Sequence, residues 1–347
     1  YPLIDGVVNG CPSHLLEPSR SNLQVNSEEF DNLLWSKARA SITPNDAISP
    51  SGLLNADKLV GLSGSNSYAY DGVSVTSGSV YTISVFAKYI DISEFVLINF
   101  TQSGNAYFNI ENGTVTSSTG TVTEPKIENY GNGWYKCTVK FTATADESIN
   151  YGFYLNNATD KSVHIWGAQF ELGDFATSYI PTTTSAVTRS AETANSAGDA
   201  STFNDSEGVL YIETKGFIDV PIDSGYIQLS KIGEASFNNS LLLQHRNNGY
   251  LRIYANGSAT ANIHFNENID FSQNHKIAVL YKLNGYKLFI DGVAKSLFGT
   301  PTQTVFSGLN DFSFDNRGAL SWNGSIKDVR VYTTALTDAE LIALTTI

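Results

Sequence analysis

Short apolar segments separated by Asn-Gly and Asp-Gly pairs occupy the last quarter of this chain. Residues 276–281, 286–290 and 324–332 are such segments, with Asn284-Gly285 between the first two and Asp291-Gly292 after the second. A two-residue type I′ turn needs positive φ at both central positions, which Asn, Asp and Gly tolerate best. The pattern therefore predicts an antiparallel meander of β-hairpins.

The composition favours β-structure over the whole chain. Its 347 residues are enough for two domains with separate cores. Charged residues make up 16%, while Ser, Thr, Asn and Gly are abundant, which is typical of uncharged polar sheet surfaces. We predict an all-β chain of two antiparallel β-sandwich (jelly-roll) domains in tandem.

The charge balance argues against two classes of partner. The chain has 21 Lys and Arg against 34 Asp and Glu, a net charge of −13, and no basic cluster. Such a surface suits neither nucleic acid nor an anionic membrane. No apolar run approaches the roughly 20 residues of a membrane-spanning helix, so we expect no membrane insertion. Because the chain begins at Tyr1 and has no Met, we expect it to be a fragment or a processed product.

Changes of pattern divide the chain into four stretches. Residues 1–20 are an irregular lead-in with Pro and Gly, and residues 21–182 carry recurring strand patterns. In residues 135–141, apolar and polar side chains alternate, which is the signature of a half-buried strand. Residues 183–205 are small and polar without periodicity, and we expect a linker there. Residues 206–347 have turn signals at the spacing of a sandwich.

Two helices are expected. In residues 28–37, Phe30, Leu33, Leu34 and Lys37 are spaced as one face of a short helix. Residues 337–340 read Thr-Asp-Ala-Glu, the sequence of a capping box at a helix N-terminus.

The two cysteines, Cys11 and Cys137, are far apart and lack metal-ligand spacing. They form either one disulfide or two separate thiols.

The last domain resembles a known family through two segments. These are Leu-Phe-Ile-Asp-Gly at residues 288–292, and Ile-Lys-Asp-Val-Arg-Val-Tyr at 326–332 followed by Ala-Leu-Thr-Asp-Ala-Glu at 335–340. Together they resemble the laminin-G-like, concanavalin A-like jelly roll. Members of that family mostly bind glycans or proteins, so the resemblance implies binding and not catalysis.

The first domain resembles a second family through several separate motifs. They include Leu-Leu-Glu-Pro-Ser-Arg-Ser-Asn-Leu at residues 15–23, Gly-Trp-Tyr-Lys-Cys-Thr-Val-Lys-Phe at 133–141 and Ile-Trp-Gly-Ala-Gln-Phe at 165–170. These look like the module of phage tail-fibre and other virion proteins, which is itself similar to carbohydrate-binding jelly rolls. The likeness spans residues 11–190 and implies a place on the virion surface.

Modules of that kind often bind a structural Ca²⁺ through an early acidic turn and carboxylates in the last strand. Glu28, Glu29 and Asp31 would supply the first set, whereas residues 165–170 contain no Asp. Alternatively, the acidic residues are favoured by the dipole at a helix N-terminus. We therefore expect no cofactor, and a structural Ca²⁺ is not favoured.

A sugar site needs aromatic rings for stacking and uncharged polar groups for the hydroxyls. Candidate rings in the first domain are Tyr68, Tyr70, Tyr107, Trp134, Tyr154 and Trp166. A polar cluster at a predicted hairpin tip of the second domain adds Gln244, His245, Arg246, Asn248 and Tyr250. The alternatives are that the rings pack in the core and that the tip is polar for solubility.

Catalytic patterns are missing from the sequence. A retaining glycosidase of this fold delivers two carboxylates from one strand, as in Glu-x-Asp-x-Glu, and no such pattern occurs. A lyase would need Gln-x-His, but Gln244 and His245 are adjacent and point to opposite faces of a strand. We expect the chain not to be an enzyme.

These patterns lead to one functional hypothesis with two alternatives. We expect a non-enzymatic phage virion protein, a tail or head fibre component that attaches to a host-surface glycan or assembles with other virion proteins. The first alternative is a secreted or cell-surface bacterial carbohydrate-binding protein, ancillary to a polysaccharidase and extracellular. The second is purely structural capsid decoration.

The lead-in also suggests an oligomer. Its apolar residues are too many for a free tail and look too irregular for a strand of the chain's own sandwich; they are Leu3, Ile4, Val7, Val8, Leu15 and Leu16. A segment of this kind is ordered by lying against a neighbour, so we expect a homo-oligomer, with a trimer favoured. The alternative is that it packs on its own domain.

Overall fold

The computed structural model describes residues 3–4, 7–8, 13–62, 64–216, 226–233, 239–246, 251–257, 260–265, 269–283, 285–296, 306–314 and 323–347. The chain divides into two compact units. The first is formed by Tyr1–Gly10 and Ser19–Ser190, and the second by Cys11–Pro18 and Ala191–Ile347. Both consist of antiparallel sheets, so the predicted fold class is confirmed.

The elements follow in chain order. They are β1 (Leu3–Ile4), β2 (Val7–Val8), β3 (His14–Leu16), β4 (Arg20–Asn22), β5 (Ser36–Ala38), β6 (Ala40–Ile48), β7 (Leu54–Gly61), β8 (Ser67–Val75), β9 (Val80–Tyr89), β10 (Glu94–Asn99), β11 (Gly104–Asn109), β12 (Thr114–Thr119), β13 (Thr123–Gly131), β14 (Trp134–Thr142), β15 (Glu147–Leu155), β16 (Ser162–Leu172), β17 (Val187–Arg189), β18 (Glu207–Gly216), β19 (Tyr226–Gly233), β20 (Ser240–Arg246), β21 (Leu251–Asn256), β22 (Thr260–Phe265), β23 (His275–Lys282), β24 (Gly285–Ile290), β25 (Val293–Lys295), β26 (Asp311–Ser313), β27 (Gly324–Tyr332) and α1 (Asp338–Thr345).

The first unit is a sandwich of two six-stranded sheets, in the orders β12-β11-β10-β15-β8-β5 and β13-β14-β9-β16-β7-β6. Aromatic side chains fill the space between them. The ring of Phe153 lies 5.4 Å from Phe30, 5.5 Å from Trp35 and 5.7 Å from Phe95 between centroids. The core-facing half of the alternation predicted for residues 135–141 is confirmed, because Cys137, Val139 and Phe141 belong to this core. Lys136 and Thr138 are buried too, so this strand is not half-buried as predicted.

The prediction of a helix over residues 28–37 is wrong. The backbone makes successive turns instead, in which Glu29 N donates to Asn26 O (3.2 Å) and Trp35 N to Asn32 O (3.2 Å). Phe30 and Trp35 both enter the core, whereas Leu33 is 97% exposed. A helical face would carry residues 30, 33 and 34 together, so burial of residues five apart selects the turns.

The second unit has a six-stranded sheet, β25-β24-β23-β18-β27-β3, and a five-stranded sheet, β22-β21-β20-β19-β26. Its main core lies between these sheets, and α1 packs through Leu341 on the other face of the six-stranded one. The capping box is confirmed, since the Thr337 hydroxyl accepts from Glu340 N and the Glu340 carboxylate from Thr337 N. Nowhere in the described part of the chain is a helix long and apolar enough to span a membrane.

One predicted hairpin turn can be checked directly. Asp291 has φ 51° and Gly292 φ 77°, the two positive values that a type I′ turn requires between β24 and β25. Asn284, Asn248 and Gly249 lie outside the described residues.

The structure differs from the expected lead-in and linker. Residues of the lead-in form strands, and β3 pairs with β27 in the second unit, where Leu16 is buried in the core. The stretch 183–205 is also divided: β17 pairs with β4 in the first unit, and Phe203 packs in the second core. The reason given above for a trimer is therefore wrong for residues 14–16, and the oligomeric state stays a prediction.

Cys137 is a free thiol inside the first core, and burial raises its pKa far above the ordinary value. Cys11 lies outside the described residues. Cys137 is thus an inert packing residue of β14.

Gly152 on β15 is required by close packing against β8. A Cβ at this position would lie 2.2 Å from Ala69 O and 2.6 Å from Tyr70 Cα, whereas a Cβ at Gly72 would meet Ser148 Oγ at 3.4 Å. We predict that Gly152→Ala lowers the free energy of unfolding by about 3 kcal/mol. The matched variant Gly72→Ala, on the neighbouring strand, should stay within about 0.5 kcal/mol of the parent. Chemical denaturation measures both, and equal effects would contradict this packing.

Candidate functional site

Tyrosines from three strands form a row across the outer face of the first sheet of the first unit. Val96 on β10 is directly opposite both Tyr107 on β11 and Tyr154 on β15, and Tyr154 is opposite Tyr68 on β8. The intervening residues of these strands point into the core, so alternation directs this row outward. Cross-strand register thus brings together rings that are far apart in the sequence.

A second row runs beside the first and adds two more rings. Gly152 on β15 is opposite Tyr70 on β8. The ring of Phe100, which follows β10, lies 5.0 Å from Tyr68 and 5.2 Å from Tyr70 between centroids. We call Tyr68, Tyr70, Phe100, Tyr107 and Tyr154 the tyrosine face.

Polar groups border the tyrosine face along one side. Glu94 on β10 is opposite Asn109 on β11. Asn156, just after β15, donates from Nδ2 to Glu94 Oε1 (3.1 Å). Amides and a carboxylate of this kind match the hydrogen-bonding capacity of sugar hydroxyls.

The rings differ in their access to solvent. Tyr68, Tyr70, Phe100 and Tyr107 are half-buried, whereas Tyr154 in the middle is 5% exposed. The Tyr154 hydroxyl donates to Tyr107 Oη (3.3 Å), and burial raises the pKa of Tyr154 above its ordinary value. Tyr154 therefore keeps its proton and supports the neighbouring rings, which present their surfaces outward.

The two predicted tryptophans do not belong to this face. Trp134 and Trp166 lie on the outer side of the other sheet, where they are 2% and 4% exposed. Tyr179 packs against Trp166 at 4.5 Å between ring centroids, and Trp134 Nε1 donates to Ile48 O (3.1 Å). Their assignment as stacking residues is wrong, because neighbouring segments cover both rings.

The polar cluster predicted at a hairpin tip of the second unit is placed differently. Gln244 is buried within β20, opposite Arg252 on β21, whose Nε donates to Gln244 Oε1 (2.9 Å). His245 points to the other side and packs its ring edge-on against Phe271 (5.0 Å). Burial lowers the pKa of His245. The side chain of Arg246, and Asn248 and Tyr250 entirely, lie outside the described residues.

Two buried basic side chains, Lys231 and Arg252, lie on the same face of the five-stranded sheet as Gln244. Lys231 on β19 is opposite Ser313 on β26, with its Nζ 3.7 Å from Asp311 Oδ2. The Arg252 guanidinium lies 4.9 Å from the centroid of the Tyr254 ring. Each charge has partners within the unit, so the arrangement is consistent with a structural network.

The acidic residues considered for calcium have separate contacts. Glu28 accepts from Asn55 Nδ2 (2.7 Å), while Glu29 and Asp31 are exposed. The Lys37 ammonium donates to Asp31 O (2.9 Å), placing a positive group where a cation would need oxygen ligands. In the described residues, no three His, Cys, Asp or Glu side chains cluster to hold a metal. The expectation that Ca²⁺ is not favoured here stays a prediction.

Asp57 on β7 connects the same turns to the sheet. This buried carboxylate accepts backbone N–H bonds from Phe30 (3.0 Å) and Asn45 (2.9 Å). Burial raises the pKa of Asp57 to about 6. Each oxygen of this carboxylate thus accepts one backbone amide.

Four contributors to the site were missed in the sequence. Phe100 follows an apolar strand and looks like part of it, and Glu94, Asn109 and Asn156 carry no motif. They join the tyrosine face only through strand register, which single-sequence patterns do not determine.

Comparison with known proteins finds a family model that matches part of the chain. Residues 223–342 match the family model of the concanavalin A-like lectin/glucanases superfamily. The laminin-G-like resemblance is therefore confirmed for these residues. A search of curated protein sequences finds no match.

Solved structures give distant likenesses. One is the carbohydrate-binding module CBM40 of a Ruminococcus gnavus IT-sialidase bound to α2,3-sialyllactose, with 19% identity, 41% of this chain and 84% of that chain covered, and a TM-score of 0.34. Another is domain 4 of AbnA, a GH43 extracellular arabinanase from Geobacillus stearothermophilus, in complex with arabinotriose. Here the identity is 16%, 47% of this chain and 73% of that chain are covered, and the TM-score is 0.34. A third is a heptameric SAP-like pentraxin from Limulus polyphemus, with 13% identity, 43% of this chain and 72% of that chain covered, and a TM-score of 0.33.

The raised pKa of Asp57 predicts a pH dependence of stability. The folded state binds a proton near pH 6 that the unfolded chain binds only near pH 4, so Asp57 adds stability as pH falls from 7.5 to 5. His245 acts in the opposite sense, because its pKa is lowered on folding. We therefore compare the parent with Asp57→Asn. As pH falls from 7.5 to 5, we expect the free energy of unfolding of the parent to rise by about 1 kcal/mol relative to that of the variant. A difference that does not change with pH would contradict the assignment.

The contacts of Glu28, Glu29 and Asp31 predict that calcium changes the melting temperature little. Adding millimolar Ca²⁺ should shift the melting temperature of the full chain by less than about 1 °C, since a ligand stabilises only the state that binds it. An upward shift of several degrees, reversed by chelation, would show that other residues form a site.

Proposed function

We propose that this chain is a non-enzymatic glycan-binding protein whose sugar site is the tyrosine face. The observation that supports this function is the grouping of half-buried rings on one outer sheet face, bordered by amides. Such rings can stack on the C–H faces of sugars, while Asn109, Asn156 and Glu94 receive the hydroxyls. Core packing does not require this arrangement, because the core lies on the opposite side of the sheet.

The same face gives little support to catalysis. A retaining glycosidase needs two carboxyl groups about 5 Å apart. Among the described residues of the rows above, Glu94 is the single carboxylate, and it is held by Asn156. Binding without chemistry is therefore the function that this geometry supports best.

The setting that we propose is a phage virion, with the chain as a tail or head fibre component that attaches to a host-surface glycan. The motifs of residues 11–190 that resemble virion modules support this setting. The net charge of −13 and the many uncharged polar residues also suit a protein exposed to the medium.

A secreted bacterial carbohydrate-binding protein is the second candidate. The match of residues 223–342 to a superfamily of lectins and glucanases favours it, since such domains accompany polysaccharide-degrading enzymes as well. Quantitative mass spectrometry of purified virions distinguishes the two candidates. Several copies per particle support the fibre component, and none supports the secreted protein.

Substitutions on the tyrosine face test the proposed site. Tyr68→Ala and Tyr70→Ala each remove a half-buried ring, and we expect each to weaken glycan binding by about tenfold or more, the loss of one stacking contact. Binding is measured on an array of soluble glycans and then by calorimetry on the best binders.

The matched control is Tyr89→Ala, which removes a tyrosine that is 37% exposed on the other sheet. This variant should bind as the parent does, and all variants should retain the parent's circular dichroism spectrum. Unchanged glycan binding by both Tyr68→Ala and Tyr70→Ala would contradict the proposed site.

A further inference from the structure

We propose that the tyrosine face binds about three consecutive sugar units of a single soluble glycan chain and does not adsorb to crystalline polysaccharide. This inference rests on the proposed function and adds the physical form of the ligand. Four features of the face support it: the tilt of the rings, the length of the row, its two ends and its polar border.

The rings are not coplanar. Tyr68 is inclined by 51° to Tyr154 and by 57° to Phe100, and Phe100 by 56° to Tyr70. A crystalline polysaccharide presents a flat layer of sugar rings, which can stack on several aromatic rings at once only where those rings share a plane. Successive sugars of a free chain can rotate about their linkages and meet rings of different inclination.

The row also sets the length of the ligand. From Tyr107 on β11 to Tyr68 on β8 it crosses β10 and β15. These three inter-strand spacings of about 4.8 Å amount to roughly 14 Å, the length of about three linked sugar rings.

Both ends of the row are defined by the structure. Beyond Tyr68 the row meets Ala38 on β5, the edge strand on this side, and the Arg39 guanidinium lies 5.5 Å from the centroid of the Tyr68 ring. Beyond Tyr107 lies Ser117 on β12, the last strand of this sheet, whose residues are short and exposed. No further ring continues the row on the described part of either side.

Polar groups lie on both sides of the row. Asn105 on β11, opposite Ile98, is on the same side as Gly152. Glu94, Asn109 and Asn156 lie on the side of the row away from Gly152. These groups can bond hydroxyls along the edge of a free chain. In a crystal those hydroxyls are already bonded to neighbouring chains, so the border would lose its partners.

A length series measures the number of sugar units bound. The probes are cello-, xylo-, chito- and arabino-oligosaccharides of one to six units, titrated calorimetrically into the full chain, with pull-down on microcrystalline cellulose and crystalline chitin. In the series that binds, we expect affinity to rise at least about tenfold from one to three units and to change less than about threefold from three to six. The insoluble particles should retain no more protein than a bead control.

A further variant tests whether the third sugar unit lies over the β11 end of the row. Tyr107→Ala removes the ring at the β11 end, so the affinity for three units should fall by about tenfold while that for two units stays within about twofold. Tyr89→Ala is again the control and should change neither affinity.

The outcomes separate the inference from the function. Retention on the crystalline particles, affinity that keeps rising beyond three units, or an equal loss for all lengths in Tyr107→Ala would overturn the inference and leave glycan binding intact. If no soluble or insoluble probe binds, the proposed function fails and the inference fails with it.

Discussion

The two-residue alternation of one central strand, β15, determines both the core and the candidate site of the first unit. Its inward residues, Tyr151 and Phe153, contact the aromatic rings that join the two sheets. Its outward residues, Gly152 and Tyr154, lie in the middle of the tyrosine face. A shift of register by one residue would exchange the two sets, so the packing that stabilises the sandwich also fixes the position of the rings.

The first unit also shows how irregular segments are held to a strand. Buried Asp57 accepts backbone amides from the turn at Phe30 and from Asn45, which ties two segments to one strand. The cost of burying this carboxylate is visible in its pKa of about 6. The same bonds join each oxygen of this carboxylate to one backbone amide of a different segment.

Local features of the fold were predictable from the sequence, and features that depend on distant pairing were not. The Asp291-Gly292 turn and the Thr337 capping box need only neighbouring residues, and both were predicted correctly. The tyrosines of the face were identified singly, but β8 and β15 are joined by register, which no local pattern reveals. Trp134 was assigned to binding because a sequence does not show which sheet face a later segment will cover. Likewise, helical spacing over residues 28–37 did not reveal that Phe30 and Trp35 must both reach the core.

The proposed sugar site crosses the outer face of β11, β10, β15 and β8. A crystal structure of the full chain with the oligosaccharide that binds best in calorimetry tests it most directly. We expect sugar rings over Tyr107 and Tyr68, with hydroxyls bonded to the side of Glu94 and Asn156. Sugar bound at another surface, with the tyrosine face empty, would contradict it.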